Sequence, residues 1–265
     1  MKLRNSITIG TLMLVLGFSG CQQDPELAQK TDIPQATLDK IYQMGFGTND
    51  VQQVDNGYLV EGDIFLSESV LNDQHDQKFL RIGETEQYRT TNLVYIPSGS
   101  KRTITVSLAS KLPTSYGDAL NEAIKRYNAE NLLITFQRVA SNGNIQIVNG
   151  NGSYLASAGF PSGGNPYNQV KVNTRSIGNQ PLNTVASILA HEMGHCIGFR
   201  HTDYMNRAYS CGGSATNEGA STVGAILIPG TPSGPDPNSW MLSCIGSGMN
   251  RPFNANDRTA LSYLY

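Results

Sequence analysis

Apolar positions along this chain repeat with a period of two in some stretches and near 3.6 in others, which sorts the chain into strands and helices. Thr103 to Leu108 alternates and predicts a strand, while Ala119, Leu120, Ala123, Ile124 and Tyr127 share one face of a helix over 118–127. Leu132 to Val139, rich in Leu, Ile and Phe, predicts the next strand; the turn Ser141-Asn142-Gly143-Asn144 and the strand Ile145 to Val148 follow. Ser153 to Phe160, bounded by Gly152 and Pro161, reads as an edge strand, and Val170 to Asn173 as a further strand. A long helix then starts near Asn179 or Asn183, with Pro181 in its first turn and Val185, Ile188, Leu189 and Cys196 at helical spacing. Ser210 to Pro237 is rich in Gly, Ser, Thr and Pro and reads as a long loop. Asn254 caps a terminal helix whose apolar face is Ala260, Leu261 and Leu264.

The first ninety residues are patterned differently. Lys2 and Arg4 precede an apolar run from Ile7 to Phe18, too short to cross a membrane as a mature helix, so residues 1–20 read as a signal peptide. Ser19-Gly20-Cys21 resembles a bacterial lipobox, and lipidation of Cys21 would anchor the chain to a membrane without spanning it. A polar tether follows. Pro34 opens a short helix through Leu38 and Ile41, Asn56-Gly57 is a hairpin turn signal, Tyr58 to Leu66 reads as a strand interrupted by Gly62, and a short helix holds Val70 and Leu71. The apolar density is too low for a separate core. Residues 21–90 therefore read as a tether and prosegment packed on a domain spanning 91–265.

Composition adds bounds. The chain has 265 residues, 39% of them hydrophobic, enough for one substantial domain and something smaller. A net charge of -2 gives no electrostatic case for nucleic acid or for an anionic membrane surface. Export makes a disulfide reasonable. Of Cys21, Cys196, Cys211 and Cys244, the pair Cys211 and Cys244 lies in the loop-rich part, leaving Cys196 as a buried thiol; other pairings stay open. His75, set among Asp73, Gln74 and Asp76, reads as a solvated loop residue.

The chemistry concentrates in His191-Glu192-Met193-Gly194-His195-Cys196-Ile197-Gly198-Phe199-Arg200-His201. His191 and His195, four apart, share one helix face and can reach one metal ion. Gly198 lets the helix end through the left-handed region, which delivers His201 as a third ligand. Three neutral histidines with one open position are the pattern of a catalytic Zn2+ site. Glu192 can hold a water at the metal and take its proton as general base. A helix whose histidines merely pack in a core is the bland alternative.

The long motif matches the pattern of the metzincin zinc endopeptidases. Together with the following Thr202-Asp203 it more closely resembles the bacterial secreted HEIGH-type metallopeptidases, with Met193 where that name has isoleucine. The resemblance runs from about Tyr88 to the end. It implies an α+β fold: a metzincin-like domain with a twisted mixed sheet of about five strands, an active-site helix and a C-terminal helix. Asn238-Ser239-Trp240-Met241-Leu242-Ser243 resembles the metzincin Met-turn, which marks Met241 as the methionine beneath the histidines, with Met249 as competitor. Ser243 stands where the astacin pattern has a tyrosine, so that residue does not carry over. Val60-Glu61-Gly62-Asp63 resembles the F-x-G-D segment of astacin-type propeptides, whose Asp binds the zinc. Asp63 is thus either a latency ligand or, more simply, a turn carboxylate. Asp203 either orients a ligand histidine or caps the next segment. Asp236 makes a structural Ca2+ conceivable, without ligand spacing to support it.

The reading expected from the sequence is an exported zinc metalloendopeptidase, anchored at the cell envelope or extracellular and monomeric, acting on extended peptide or protein substrates. The alternative is a surface lipoprotein that binds a ligand or partner and carries a structural zinc.

Overall fold

A computed structural model describes residues 33–44, 46–72, 87–215, 217, 224–232 and 235–265. Residues 1–20, read above as a signal peptide, and Cys21 and His75 lie outside the described residues. Among the described residues no helix is long and apolar enough to cross a membrane.

The chain opens with α1 (Gln35–Gln43), β1 (Gln52–Val54), β2 (Gly57–Val60), β3 (Ile64–Ser67) and α2 (Glu68–Asn72). After β4 (Tyr88–Arg89) come β5 (Arg102–Leu108), α3 (Thr114–Asn128), β6 (Ile134–Val139), β7 (Ile145–Asn149), β8 (Ala156–Ala158) and β9 (Gln169–Val172). Then follow α4 (Thr174–Ile177), α5 (Leu182–Ile197), α6 (Ala208–Cys211), β10 (Ile226–Leu227) and α7 (Ala255–Leu264). The fold is α+β. Its main sheet is mixed and has eight strands in the order β1-β2-β3-β8-β9-β7-β5-β6. Five of these, β5 to β9, are the strands expected of the domain; the other three are a meander from the N-terminal segment that continues the same sheet.

Two expectations change here. Tyr58 to Leu66 is two antiparallel strands, with Leu59 opposite Phe65 and Val60 opposite Ile64. The chain reverses at Glu61 and Gly62, whose φ values of 54° and 85° lie in the left-handed region, so Gly62 supplies a turn rather than an interruption. The stretch Ser153 to Phe160 contains only the short β8, and it is not an edge. On one side β9 pairs antiparallel with it; on the other β3 pairs parallel, Ile64 opposite Ala158. The residues just ahead of 91 pack against the rest of the chain. Gln87 is buried and donates to Asp257 at 2.6 Å, and β4 pairs with β10 while Thr90 N–H donates to the Gly198 carbonyl.

Two apolar clusters hold the molecule. The larger takes in β5 to β9, α3, α5 and α7, with Ile104, Leu120, Leu189 and Met193 among its buried members. The smaller joins Ile41, Phe46, Tyr58, Val60, Ile64, Leu66 and Leu71 of the N-terminal segment. α3 starts four residues before its predicted first residue because Pro113, at φ -54°, is already shaped for a helix N-terminus. Pro181 does the same for α5; Asn183 lies inside the helix and caps nothing. α7 begins with a full capping box between Asn254 and Asp257.

Candidate metal centre

α5 is buried from Thr184 to Ile197, so the face that carries His191 and His195 is fixed by packing on every side. The helix stops at Gly198, at φ 109°, a conformation open to glycine. Phe199 N–H donates back to the Gly194 carbonyl at 2.9 Å, and Arg200 N–H donates to the Tyr88 carbonyl, also at 2.9 Å. These bonds tie the returning chain to β4 and bring His201 beneath the helix.

Asp63, His191, His195 and His201 converge so that their ligand atoms all lie within 4.8 Å of one another. His201 Nε2 is 3.1 Å and His191 Nε2 3.6 Å from Asp63 Oδ2, and His195 Nε2 is 3.2 Å from His201 Nε2. His191 Nδ1 is 2.9 Å from the Trp240 carbonyl and His195 Nδ1 2.8 Å from the Phe199 carbonyl. A carbonyl only accepts, so each Nδ1 carries the proton and each Nε2 offers a lone pair to the shared point. Burial, helped by the neighbouring His191 and His201, holds His195 well below its ordinary pKa, in the neutral form that ligates. Burial pushes the Asp63 carboxyl up, but the surrounding histidines outweigh it and keep the group ionised. Two imidazole lone pairs fixed by their carbonyl partners, a third imidazole and an ionised carboxylate gathered at one point make a set that a cation would hold together. Nitrogen donors in this number with one oxygen suit Zn2+.

Glu192 is buried beside this cluster, with Oε2 lacking any hydrogen-bond partner. Burial first, then the negative charge of Asp63, raises its carboxyl well above the usual range. It faces a cavity of about 220 Å³. Met241 is fully buried under α5; a Cβ built on Gly194 would lie 2.7 Å from its Sδ and 3.2 Å from Trp240 Nε1. Gly194 therefore lets the helix sit on Trp240 and Met241, while Met249 is exposed. Asp203 faces elsewhere: its Oδ1 accepts from Ser243 N–H and Oγ–H at 2.9 and 2.8 Å, and its Oδ2 from Ser210 Oγ–H at 2.5 Å. These bonds tie the chain after His201 to Ser210 and to Ser243, two residues past Met241. A disulfide joins Cys211 to Cys244 in the same region, and Cys196 is a buried free thiol. Asp236 spends its oxygens on Asn238 N–H and on the Asn254 and Asn256 amides.

Several residues at this centre carried no recognised signal. Glu61, two before Asp63, pairs with the fully buried Arg200 at 3.3 Å, and the Phe46 ring lies 5.2 Å from the same guanidinium. An arginine inside the motif, flanked by Phe199 and His201, was the available clue. The Trp240 and Phe199 carbonyls had none, since any residue supplies a carbonyl.

The sequence profile of a family described as "Dual-action HEIGH metallo-peptidase" matches residues 59–265. The match starts at Leu59, well ahead of Tyr88, and so includes the hairpin with Asp63. Two solved structures of myroilysin are similar to the chain. One is 17% identical, covering 64% of this chain and 81% of that one, with a TM-score of 0.40. The other is 16% identical, covering 67% and 91%, with a TM-score of 0.40. No curated protein matches.

Proposed function

The chain belongs to the dual-action HEIGH metallo-peptidase family, and from that premise we propose that it is an exported zinc endopeptidase made with its own inhibitor attached. As a family member it is a zinc metallopeptidase, and its substrates are peptides or proteins. When bound, zinc supplies a Lewis acid for the scissile carbonyl and lowers the pKa of a coordinated water toward neutrality. His191, His195 and His201 hold the metal, each of the first two oriented by its carbonyl partner. Glu192 is the general base: it takes the proton of the attacking water and gives it to the amine nitrogen as the C–N bond breaks. Met241 supports the histidines from below.

The observation that carries the latency reading is Asp63, whose carboxylate sits 3.1 Å from His201 Nε2 while its own carbonyl accepts from Ala158 N–H at 2.9 Å. One residue thus takes the fourth ligand position and the edge of β8 together. In this reading the segment ahead of Gln87 is the prosegment, with the boundary between Asn72 and Gln87, because Gln87 and β4 belong to the packing of the catalytic domain. Its departure opens the edge of β8 to an extended peptide by strand addition. Residues 1–20 are the signal peptide. Cys21 is the lipid-bearing first mature residue, and the protein works as a monomer at the cell envelope or outside it.

One observation favours the second reading, a surface lipoprotein with a structural zinc: four residues around one point also make a closed site. Casein hydrolysis by the zinc-loaded full chain, before and after limited proteolysis, separates the two. Processed Glu192→Ala is expected to keep its zinc and lose activity by about 10²–10⁴-fold. Unprocessed Asp63→Ala is expected to cleave where the unprocessed parent does not, and equal activity of the two sinks the latency role. Zinc in the parent with no cleavage after processing favours the lipoprotein.

A further inference from the structure

The cavity beside Glu192 has one feature the hydrolytic step does not use. Ile188, Leu242 and Ile245 give it apolar lining, but Arg251 and Arg207 line it as well. Arg251 is 8% exposed. Its NH1 donates to the Cys244 carbonyl at 2.6 Å, and its buried Nε has no hydrogen-bond partner. Burial lowers its pKa against the pull of Asp203 and Asp257. Neither carboxylate bonds to it: Asp203 is engaged by Ser210 and Ser243, and Asp257 by Gln87, Trp240 and Asn254. A buried cation with an unfilled donor favours an anion beside it. Arg207 is half-buried, and a Cβ on Gly62 would lie 2.5 Å from one of its guanidinium nitrogens. The acids lining this cavity are Asp63, which leaves with the hairpin in the reading above, and Glu192 itself.

The strand beside the cavity fixes which side of the scissile bond it serves. Of the four residues at the metal centre, Asp63 stands level with Ala158, whose N–H donates to the Asp63 carbonyl. The cavity lining on this side is 153–156, ahead of Ala158 in the chain. β3 runs parallel to β8, and antiparallel pairing is the commoner direction for an added strand. A peptide running antiparallel to β8 carries the residues after its scissile bond past 153–156.

We propose that this cavity is the specificity pocket for the residue immediately following the scissile bond, and that it receives an acidic side chain on Arg251 and Arg207. The proposal rests on the peptidase reading above. The test uses the zinc-loaded full chain, processed by limited proteolysis with the processing protease then inhibited. Casein is assayed beside quenched peptides that differ at one position, bearing Asp, Glu, Asn, Gln, Leu or Lys there, with cleavage sites read by mass spectrometry. Cleavage is expected on the N-terminal side of Asp or Glu, with kcat/KM at least about tenfold above the matching amide, a difference of about 1.4 kcal/mol. Arg251→Gln is expected to bring acid and amide close to parity while casein is still cleaved. Arg207→Gln, at a half-buried site, decides the matter if Arg251→Gln does not fold; it should reduce the preference several-fold. Casein cleavage with no acid preference in the parent, cleavage after the acid rather than before it, or an unchanged preference in Arg207→Gln overturns the pocket assignment. No casein cleavage by the processed parent instead removes the peptidase reading, and the pocket assignment with it.

Discussion

Two segments meet at the metal centre and are held there in opposite ways. α5 is buried from Thr184 to Ile197 in the larger apolar cluster, and the Nδ1 atoms of its two histidines each face a backbone carbonyl. The turn Glu61-Gly62-Asp63 arrives on two left-handed residues at the tip of a hairpin. Its support is a separate, smaller cluster, a strand pairing with β8 and the ion pair from Glu61 to Arg200. Ligands that stay are fixed by the core of the domain that uses them. In the latency reading proposed above, a ligand that has to leave is held by contacts that can be given up together.

The most direct way to break this comparison is Glu61→Gln, which leaves Asp63 in place and removes the charge beside a fully buried arginine. Breaking a buried pair on one side costs roughly 3–5 kcal/mol. Even a fraction of that, taken from the docking of the hairpin, is a tenfold or larger rise in its undocked population. Unprocessed Glu61→Gln is therefore expected to hydrolyse casein measurably and to be nicked faster in the N-terminal segment than the parent. Parent-like values on both would place the grip in the apolar cluster around Phe46 and Ile64 instead.

Gly194→Ala probes the permanent side. Alanine improves helix propensity by about 1 kcal/mol. The added Cβ, however, would sit 2.7 Å from Met241 Sδ and 3.2 Å from Trp240 Nε1, and both side chains are buried. Overpacking of this kind costs about 1–3 kcal/mol. The collision offsets or outweighs the propensity, for a net loss of up to about 2 kcal/mol, seen as a lower Tm. Trp240 also supplies the carbonyl on His191 Nδ1, so zinc affinity should fall by about tenfold. A variant with parent-like Tm and zinc binding would show that the Met-turn is free to yield.

The contrast also explains what the sequence disclosed. His191, Glu192, His195 and His201 were legible because helix geometry and one glycine place them from spacing alone. The strands β5, β6, β7 and β9 and the helices α3, α5 and α7 were legible from apolar periodicity, with helix starts moved by Pro113 and Pro181, whereas the one-turn helices α4 and α6 are too short to show a period. The N-terminal segment was the opposite case. Its strands are too short to alternate clearly, and their place in the same sheet depends on pairing between residues as far apart as Ile64 and Ala158. Asp63 was flagged by a four-residue likeness, yet its contact with His201 spans 138 positions and no local pattern encodes it. Arg251 and Glu61 were not flagged, because a single charged residue acquires a partner or a cavity only in three dimensions.

A pH-dependent effect comes from beneath the permanent side. Asp257 is fully buried, accepting from Gln87 Nε2 at 2.6 Å, Asn254 N–H at 2.9 Å and Trp240 N–H at 3.2 Å. It thereby holds the residue whose carbonyl holds His191. Burial comes first among the influences on its carboxyl and pushes it up to about 6, against an ordinary 3.8, in spite of those donors. The folded protein therefore binds a proton at pH values where the unfolded chain has released it. Linkage then gives a contribution that is complete below about pH 4, lost as pH rises toward about 6 and constant above that, of about 3 kcal/mol. Asp257→Asn keeps an acceptor for the helix cap and cannot ionise, so the difference in urea midpoint between variant and parent should change across pH 4 to 6 and be level from 6 to 8. A level difference over the whole range would mean that the donors around Asp257 offset its burial completely, and that the floor of the metal centre is indifferent to pH.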